Sequence, residues 1–304
     1  MKCAVFSSLG LGDGLLALIL SNNLQKNNWD VITFHDPLKE LASWFPLQKI
    51  ASFPLIEELA VYQRIFIFFE KTSRMQPIIQ ECLSKYRAIT TMINPIATAH
   101  TDYPFWEESR FNGAISFADN LLQFCKTGLQ LEKTTKENGI SPPAEWRAGR
   151  FSKRVILHPT SSKEDKNWPK KKYLLLAKKL QIEGFEPVFA LHPQERADWL
   201  QLETCTPAPH FSTLSELAAY VYESGYFIGN DSGIGHLASC LGLPTLTICR
   251  NKQTAQFWRP SWSPGVILHP SMLIPNIKHM RWRDKYWKQS ISVNRVISTF
   301  HEII

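Results

Sequence analysis

Gly229-Asn230-Asp231-Ser232-Gly233-Ile234-Gly235-His236 follows a short apolar run and leads into apolar residues at helical spacing. A strand that ends in Asp and Ser, with glycines that let backbone approach a ligand before the next helix starts, suits an anion. The first amides of such a helix, Ser232 and Gly233 among them, lack intrahelical partners and carry partial positive charge, and His236 one turn in can donate to an anionic oxygen. The plainer reading is that Asp231 or Ser232 caps a core helix. Upstream, Thr160, Ser161 and Ser162 follow another apolar run, with Lys166 close behind. Hydroxyls there hydrogen-bond an oxyanion, and Lys166 neutralises charge gathering on a departing group. As a solvated loop the same residues would only cap the helix beyond Pro169. A third feature, Leu9-Gly10-Leu11-Gly12-Asp13-Gly14, ends the first apolar run in glycines and sets a carboxylate at the start of the next helix. A dinucleotide fingerprint of the G-x-G-x-x-G kind would need glycine at 15, where Leu15 stands. Asp13 is therefore a helix cap or an acid placed for chemistry.

The elements that must hold these residues alternate. Strands are expected at Lys2–Ser7, Asp30–Phe34, Arg64–Phe69 and Ala88–Ile93, with helices at Gly14–Asn27 and Met75–Tyr86 between them. After residues 132–152, which are polar, contain Pro142-Pro143 and read as a linker, the alternation starts again. Strands follow at Arg154–His158, Glu186–Leu191, Tyr226–Gly229 and Thr245–Cys249, with helices at Lys170–Glu183, Leu214–Glu223 and Gly235–Leu241. Such alternation implies mostly parallel sheets. At the tail, Val293, Val296, Ile297, Phe300 and Ile304 share one helical face.

The stretch Asp231 to Pro244 resembles the D-[ST]-G-x-x-H-L-A-x-x-x-G-x-P signature of glycosyltransferase family 9, the heptosyltransferases of lipopolysaccharide core synthesis. His158-Pro-Thr-Ser-Ser-Lys-Glu-Asp-Lys-Asn-Trp-Pro169 is similar to that family's hydroxyl-rich turn, and Gly12-Asp13 to its amino-terminal turn. The resemblance implies a GT-B type α/β fold: two Rossmann-like doubly wound domains facing a central cleft. An acceptor domain would span 1–140 and a donor domain 150–285, with a last helix over 286–304 returning toward the amino-terminal domain. It further implies inverting, metal-independent transfer with no cofactor beyond a nucleotide sugar, ADP-heptose, to a phosphorylated lipopolysaccharide inner-core glycolipid. Asp13 would then be the base on the acceptor hydroxyl, a carboxylate opposite the leaving group as inversion requires. Thr160, Ser161, Ser162, Lys166, Ser232, Gly233 and His236 would hold the donor phosphates. Asp231, whose charge would repel a diphosphate, would orient donor-sugar hydroxyls, and Glu195 would meet the nucleoside. Beyond residue 20 the amino-terminal half carries no specific match, and acceptor choice in the family lives there.

Composition fits this without naming a ligand. A chain of 304 residues, 44% hydrophobic, can bury two cores. The formal charge of +7 favours anionic partners but is spread along the chain. Six cysteines show no C-x-x-C spacing, and His158, His192, His210 and His269 form no metal pattern. The start lacks a signal peptide's apolar core and Leu15–Leu20 is far short of a span, so a cytoplasmic location is expected. Lys278, Arg281, Arg283, Lys285 and Lys288 lie among Trp282, Tyr286 and Trp287. They suit a crossover segment, or peripheral contact with the inner membrane or an acidic acceptor. Nucleic acid is not expected, since no reader motif accompanies them. The other readings open are a nucleotide-sugar-binding module without transfer and an NAD-dependent oxidoreductase.

Overall fold

A computed structural model describes residues 1–93, 111–201, 205–271 and 282–304. The chain forms two compact units, Met1–Ser141 and Pro142–Ile304. The first contains β1 (Lys2–Phe6), α1 (Leu11–Lys26), β2 (Asp30–Phe34), α2 (Asp36–Lys39), β3 (Lys49–Ala51), β4 (Arg64–Phe68), α3 (Met75–Lys85), β5 (Thr90–Ile93) and α4 (Phe117–Gln123). Its strands run parallel in the order β3-β2-β1-β4-β5. Central β1 is buried from Cys3 to Phe6, as a strand covered on both faces must be. The order reverses between β1 and β4, and open α/β sheets leave a crevice at the carboxyl ends of strands at such a point.

Helix α1 is buried from Gly14 through Leu24, and that stretch includes Ser21, Asn22 and Asn23. Buried amides must find partners. They find them in residues 133–141, the front half of the expected linker. Asn23 Nδ2 donates to the Thr135 carbonyl at 2.8 Å and its Oδ1 accepts from Thr135 N–H at 2.7 Å. Asn27 pairs with both backbone groups of Lys133 in the same way, and Asn22 Nδ2 reaches the Glu137 carbonyl. Asn138 returns a bond to the Leu15 carbonyl, and Ser141 N–H donates to the Trp44 carbonyl. The segment is thus strapped to the first unit rather than loose. From Gly149, whose N–H meets the Tyr222 carbonyl, the chain is fastened to the second unit, leaving 142–148 to make the crossing.

The second unit contains β6 (Phe151–His158), α5 (Lys170–Ile182), β7 (Glu186–Phe189), α6 (Pro193–Leu200), α7 (Leu214–Tyr222), β8 (Ser224–Asn230), α8 (Gly233–Cys240), β9 (Thr245–Ile248), α9 (Lys252–Trp258), β10 (Gly265–Leu268), α10 (Trp282–Lys285), α11 (Trp287–Ser290) and α12 (Val293–Phe300). The parallel order is β10-β9-β8-β6-β7, and it reverses between β6 and β8. Side chains start its helices: Ser232 Oγ accepts from Gly235, Thr213 from Glu216, Asn251 from Thr254 and Ser292 from Arg295. Each such cap stabilises by about 1 kcal/mol.

The segment 286–304 is built into the second unit. Ile291, Val296, Ile297 and Phe300 join Leu176 and Leu180 of α5 in one core, because α5 offers them an apolar stripe. Lys172 Nζ closes the end of α11 on the carbonyls of Lys288, Gln289 and Ile291 at 2.7, 3.1 and 2.7 Å. Ile304 leaves the expected buried face, since α12 stops at Phe300 and Ile304 is exposed. Among the described residues no helix is long and apolar enough to cross a membrane.

Candidate functional site

The motifs lie at the two sheet reversals. In the first unit, α1 begins at Leu11, three residues before the sequence pattern suggests, so Gly12 and Gly14 are helical and Asp13 stands in the first turn. There its charge meets the positive end of the helix. The half-buried carboxylate folds back over Gly10, where a Cβ would collide with Asp13 Oδ2. Gly14 is equally constrained: a Cβ there would come 2.7 Å from Cε1 and Nε2 of His35. His35 is fully buried; Nδ1 accepts from Leu38 N–H at 3.1 Å, so the proton sits on Nε2, 3.1 Å from the Gly10 carbonyl. Burial lowers its pKa, and the bond to Gly10 opposes this. His35 therefore clamps the turn that carries Asp13, and nothing in the sequence pattern marks it. After β4, Arg74 pairs with Asp36 and lies 3.8 Å over the Phe53 ring.

In the second unit the reversal is flanked by the loop after β6, residues 159–168, and by the turn after β8. Lys166 Nζ lies 3.2 Å from Asp231 Oδ2, and Arg250 Nη1 2.8 Å from Asp165 Oδ2. These four, with Lys163 and Asp284, give a cavity of about 250 Å³ three cationic and three carboxylate side chains; Asn251 and Thr254 add polar groups, and Ile248 and Cys249 also line it. Its size suits one part of a ligand, being below the about 300–1,000 Å³ of a full small-molecule site. Lys166 and Arg250 each already hold a carboxylate, so an entering oxyanion takes over a preformed charge-assisted bond. Asp231, which lines the cavity, leads into α8, with Ser232 Oγ spent on Gly235 and the Ser232 carbonyl on His236 N–H. The free end therefore belongs to Gly233 and Ile234.

Several expected residues behave differently. His236 is buried, its imidazole held at the Trp258 carbonyl and edge-on to Trp262, and burial pushes its pKa down to about 4. Its Nδ1 is buried without a hydrogen-bond partner among the described residues. With Nε2 the nitrogen left to donate to Trp258, Nδ1 carries a lone pair in the neutral ring. Spacing places this histidine one turn inside α8, and the structure shows it buried there. Ser161 Oγ lies 2.7 Å from Asn167 Oδ1 and 3.0 Å from the Lys163 carbonyl, bracing its own loop. Ser162 is exposed, Thr160 half-buried, and neither lines the cavity. Glu195 stands in the first turn of α6, past the end of β7, with Oε2 buried and unpartnered among the described residues. Its charge acts on His158, whose Nδ1 lies 2.7 Å from the Ala190 carbonyl and whose pKa is lowered by burial.

Sequence reasoning missed Lys163, Asp165, Arg250, Asn251, Thr254 and Asp284. Arg250 and Asn251 closely follow β9, next in the sheet to β8, and the rule that ligands gather at carboxyl ends of strands would have found them. Of the basic aromatic stretch, Lys278 and Arg281 lie outside the described residues. The rest divides: Trp287 is core, Lys288 Nζ donates to the Glu164 carbonyl at 3.0 Å, and Trp282 and Tyr286 are exposed.

Residues 117–269, half of the chain, match the family described as glycosyltransferase family 9 (heptosyltransferase). Lipopolysaccharide heptosyltransferase 3 of Escherichia coli is 28% identical over 158 residues, 46% of each chain. Lipopolysaccharide heptosyltransferase 1 of Campylobacter coli is 36% identical over 109 residues, 32% of this chain and 31% of that protein. The matched stretches thus span less than half the length of these curated relatives. Among solved structures, a family 9 glycosyltransferase from Veillonella parvula superposes with a TM-score of 0.70 at 18% identity, covering 99% of this chain and 96% of that one. The E. coli ADP-heptose heptosyltransferase II gives 0.68 at 14%, covering 100% and 98%. Likeness at these identities shows the fold, two Rossmann-like α/β units of the GT-B type.

Proposed function

Because the chain belongs to glycosyltransferase family 9, the heptosyltransferases, we propose that it transfers a heptose from ADP-heptose to a phosphorylated lipopolysaccharide core acceptor, with inversion and without a metal ion. The observation that carries this reading is the pair of ion pairs, Lys166–Asp231 and Arg250–Asp165, around a cavity at the reversal of the second sheet, where Asp231 leads into the free amides of α8. In the reaction, Asp13 takes the proton of an acceptor hydroxyl. The hydroxyl oxygen bonds the anomeric carbon as the bond from that carbon to the diphosphate oxygen breaks on the opposite face. The charge released onto ADP is received by Lys166, Arg250 and the amides of Gly233 and Ile234, preorganised dipoles and cations of the kind that lower such barriers. Asp231, freed from Lys166, accepts from a donor-sugar hydroxyl. Ser161 supports the loop that carries Lys166, and Thr160 and Ser162, on the same loop, are its further hydroxyl donors to the phosphates. The buried orphan oxygen of Glu195 supports a nucleoside-hydroxyl role, since a ligand donor would satisfy it. The work site is the cytoplasmic face of the inner membrane, where such an acceptor is made, with peripheral contact through exposed Trp282 and Tyr286.

The test is ADP release on incubating the protein with ADP-heptose and deacylated core oligosaccharide. Release that depends on acceptor, and is lost in Asp13→Ala, supports the reading. Full activity in Asp13→Ala removes the base assignment, and nucleotide binding without turnover on any acceptor favours a binding module.

A further inference from the structure

Both sides of the second unit's cavity are joined by a residue that does not line it. Asn230, the last residue of β8, is 0% exposed, and its amide makes three bonds. Oδ1 accepts from the Trp168 backbone N–H at 3.1 Å and from the Tyr173 hydroxyl at 3.1 Å, while Nδ2 donates to the Pro159 carbonyl at 2.5 Å. The chemistry of the partners fixes the amide's orientation: an N–H can meet only the oxygen, and a carbonyl only the nitrogen. Pro159 and Trp168 are the two feet of the loop that carries Ser161 and Lys166. Asp231, the partner of Lys166, is the next residue after Asn230.

We propose that Asn230 is a positioning residue for the anion site: its side chain clasps both feet of the 159–168 loop to the end of β8 and so sets how Lys166 meets a phosphate. This rests on the reading of the cavity as the donor diphosphate site. Three kinds of replacement each lose part of this bonding. Aspartate has the acceptor but no donor and turns a charge toward the Pro159 carbonyl. Serine is too short to span both feet, and an apolar residue leaves a buried N–H and a buried carbonyl unpaired. The loop braces itself further through Ser161 and Asn167.

The experiment compares Asn230→Ala with Tyr173→Phe in the full chain. Tyr173→Phe removes one bond to the same Oδ1 and leaves both loop feet attached, so it reports what simple loss of core bonding does. Two readouts are taken: ADP affinity by calorimetry, and hydrogen exchange in the 159–168 segment relative to the rest of the unit. Asn230→Ala is expected to weaken ADP by about tenfold or more, the equivalent of one charge-assisted bond, and to speed exchange selectively in 159–168. Tyr173→Phe is expected to keep ADP affinity within about twofold at a comparable loss of melting temperature. Should Asn230→Ala not fold, Asn230→Ser, uncharged and too short to span both feet, carries the same expectations. Equal ADP affinity in the Asn230 and Tyr173 variants, or exchange that rises evenly over the unit, overturns the proposal. If the unaltered protein binds no ADP, the nucleotide reading fails and the role in anion positioning fails with it. Exchange then separately decides whether the clasp exists.

Discussion

Replacing His236 with glutamine should flatten the loss of stability that follows acidification. His236 is 5% exposed and its pKa lies at about 4, lowered first by burial and partly restored by the charge of Asp231 and the Trp258 carbonyl. In the unfolded chain it takes up its proton near 6.5. Between those values the unfolded state binds more protons than the folded one, so stability is complete above about 6.5 and falls as pH falls toward 4. The gap between the two values corresponds to roughly 3 kcal/mol in full, and about 2 kcal/mol of it is lost between about pH 7 and 5. His35 and His158, also lowered by burial, act in the same direction, so the unaltered protein alone cannot isolate one of them. The difference between it and His236→Gln can. Urea denaturation at about pH 7, 6 and 5 should show the variant less stable at neutral pH by about 1 kcal/mol, for the lost bond, with the difference closing or reversing at the acid end. Parallel curves would refute the assignment of a buried neutral imidazole. Calorimetry with ADP supplies the second half: a donor imidazolium would strengthen ADP binding below about pH 6 in the unaltered protein only, whereas a neutral buried ring gives both proteins the same trend.

Other changes reach the remaining parts of the structure. Gly14→Ala drives a methyl into the His35 ring, which is held at both nitrogens. Overpacking of about 1–3 kcal/mol exceeds the helix-propensity gain of about 1 kcal/mol, so the urea midpoint should fall; an unchanged or higher midpoint counts against the clamp. Asn23→Ala removes both bonds to Thr135, costing about 2 kcal/mol and exposing 133–141 to limited proteolysis; resistance equal to the unaltered chain would show that the strap holds without it. Lys166→Ala should weaken ADP about tenfold or more, and the deficit should shrink as salt screens the remaining charges. An affinity within about twofold, less than the loss of one net hydrogen bond, would take Lys166 out of the site.

Much of the fold is legible because parallel strands buried on both faces read as unbroken apolar runs, as Val155–Leu157 and Ile65–Phe68 do. Short edges are less so: β3 is three residues, and β10, at the far edge of its sheet, has only Val266–Leu268 as its apolar run. The first helix starts earlier than its sequence suggests because its glycines read as a turn, while close approach of His35 is what Gly14 serves. The strap escapes for a different reason. An Asn-rich helix face and a polar segment each look solvated, and only the fold shows that Asn23 and Thr135, 112 residues apart, satisfy one another. In the site, Lys166 and Asp231 stand out by residue type and by their place after strands, and the structure brings them together. For His236, spacing gives a place one turn inside the helix but says nothing of the Trp258 and Trp262 around it. Asn230 passes unnoticed since an amide beside an acid looks like part of a turn.

The most direct measurement is a crystal structure of the protein grown with ADP. The diphosphate should lie in the cavity after β8, with an oxygen within hydrogen-bond reach of Lys166 Nζ and another at the amides of Gly233 and Ile234, and His236 should keep its contact with the Trp258 carbonyl. A diphosphate bound away from that cavity, or one bonded by His236, would contradict the site described for the second unit.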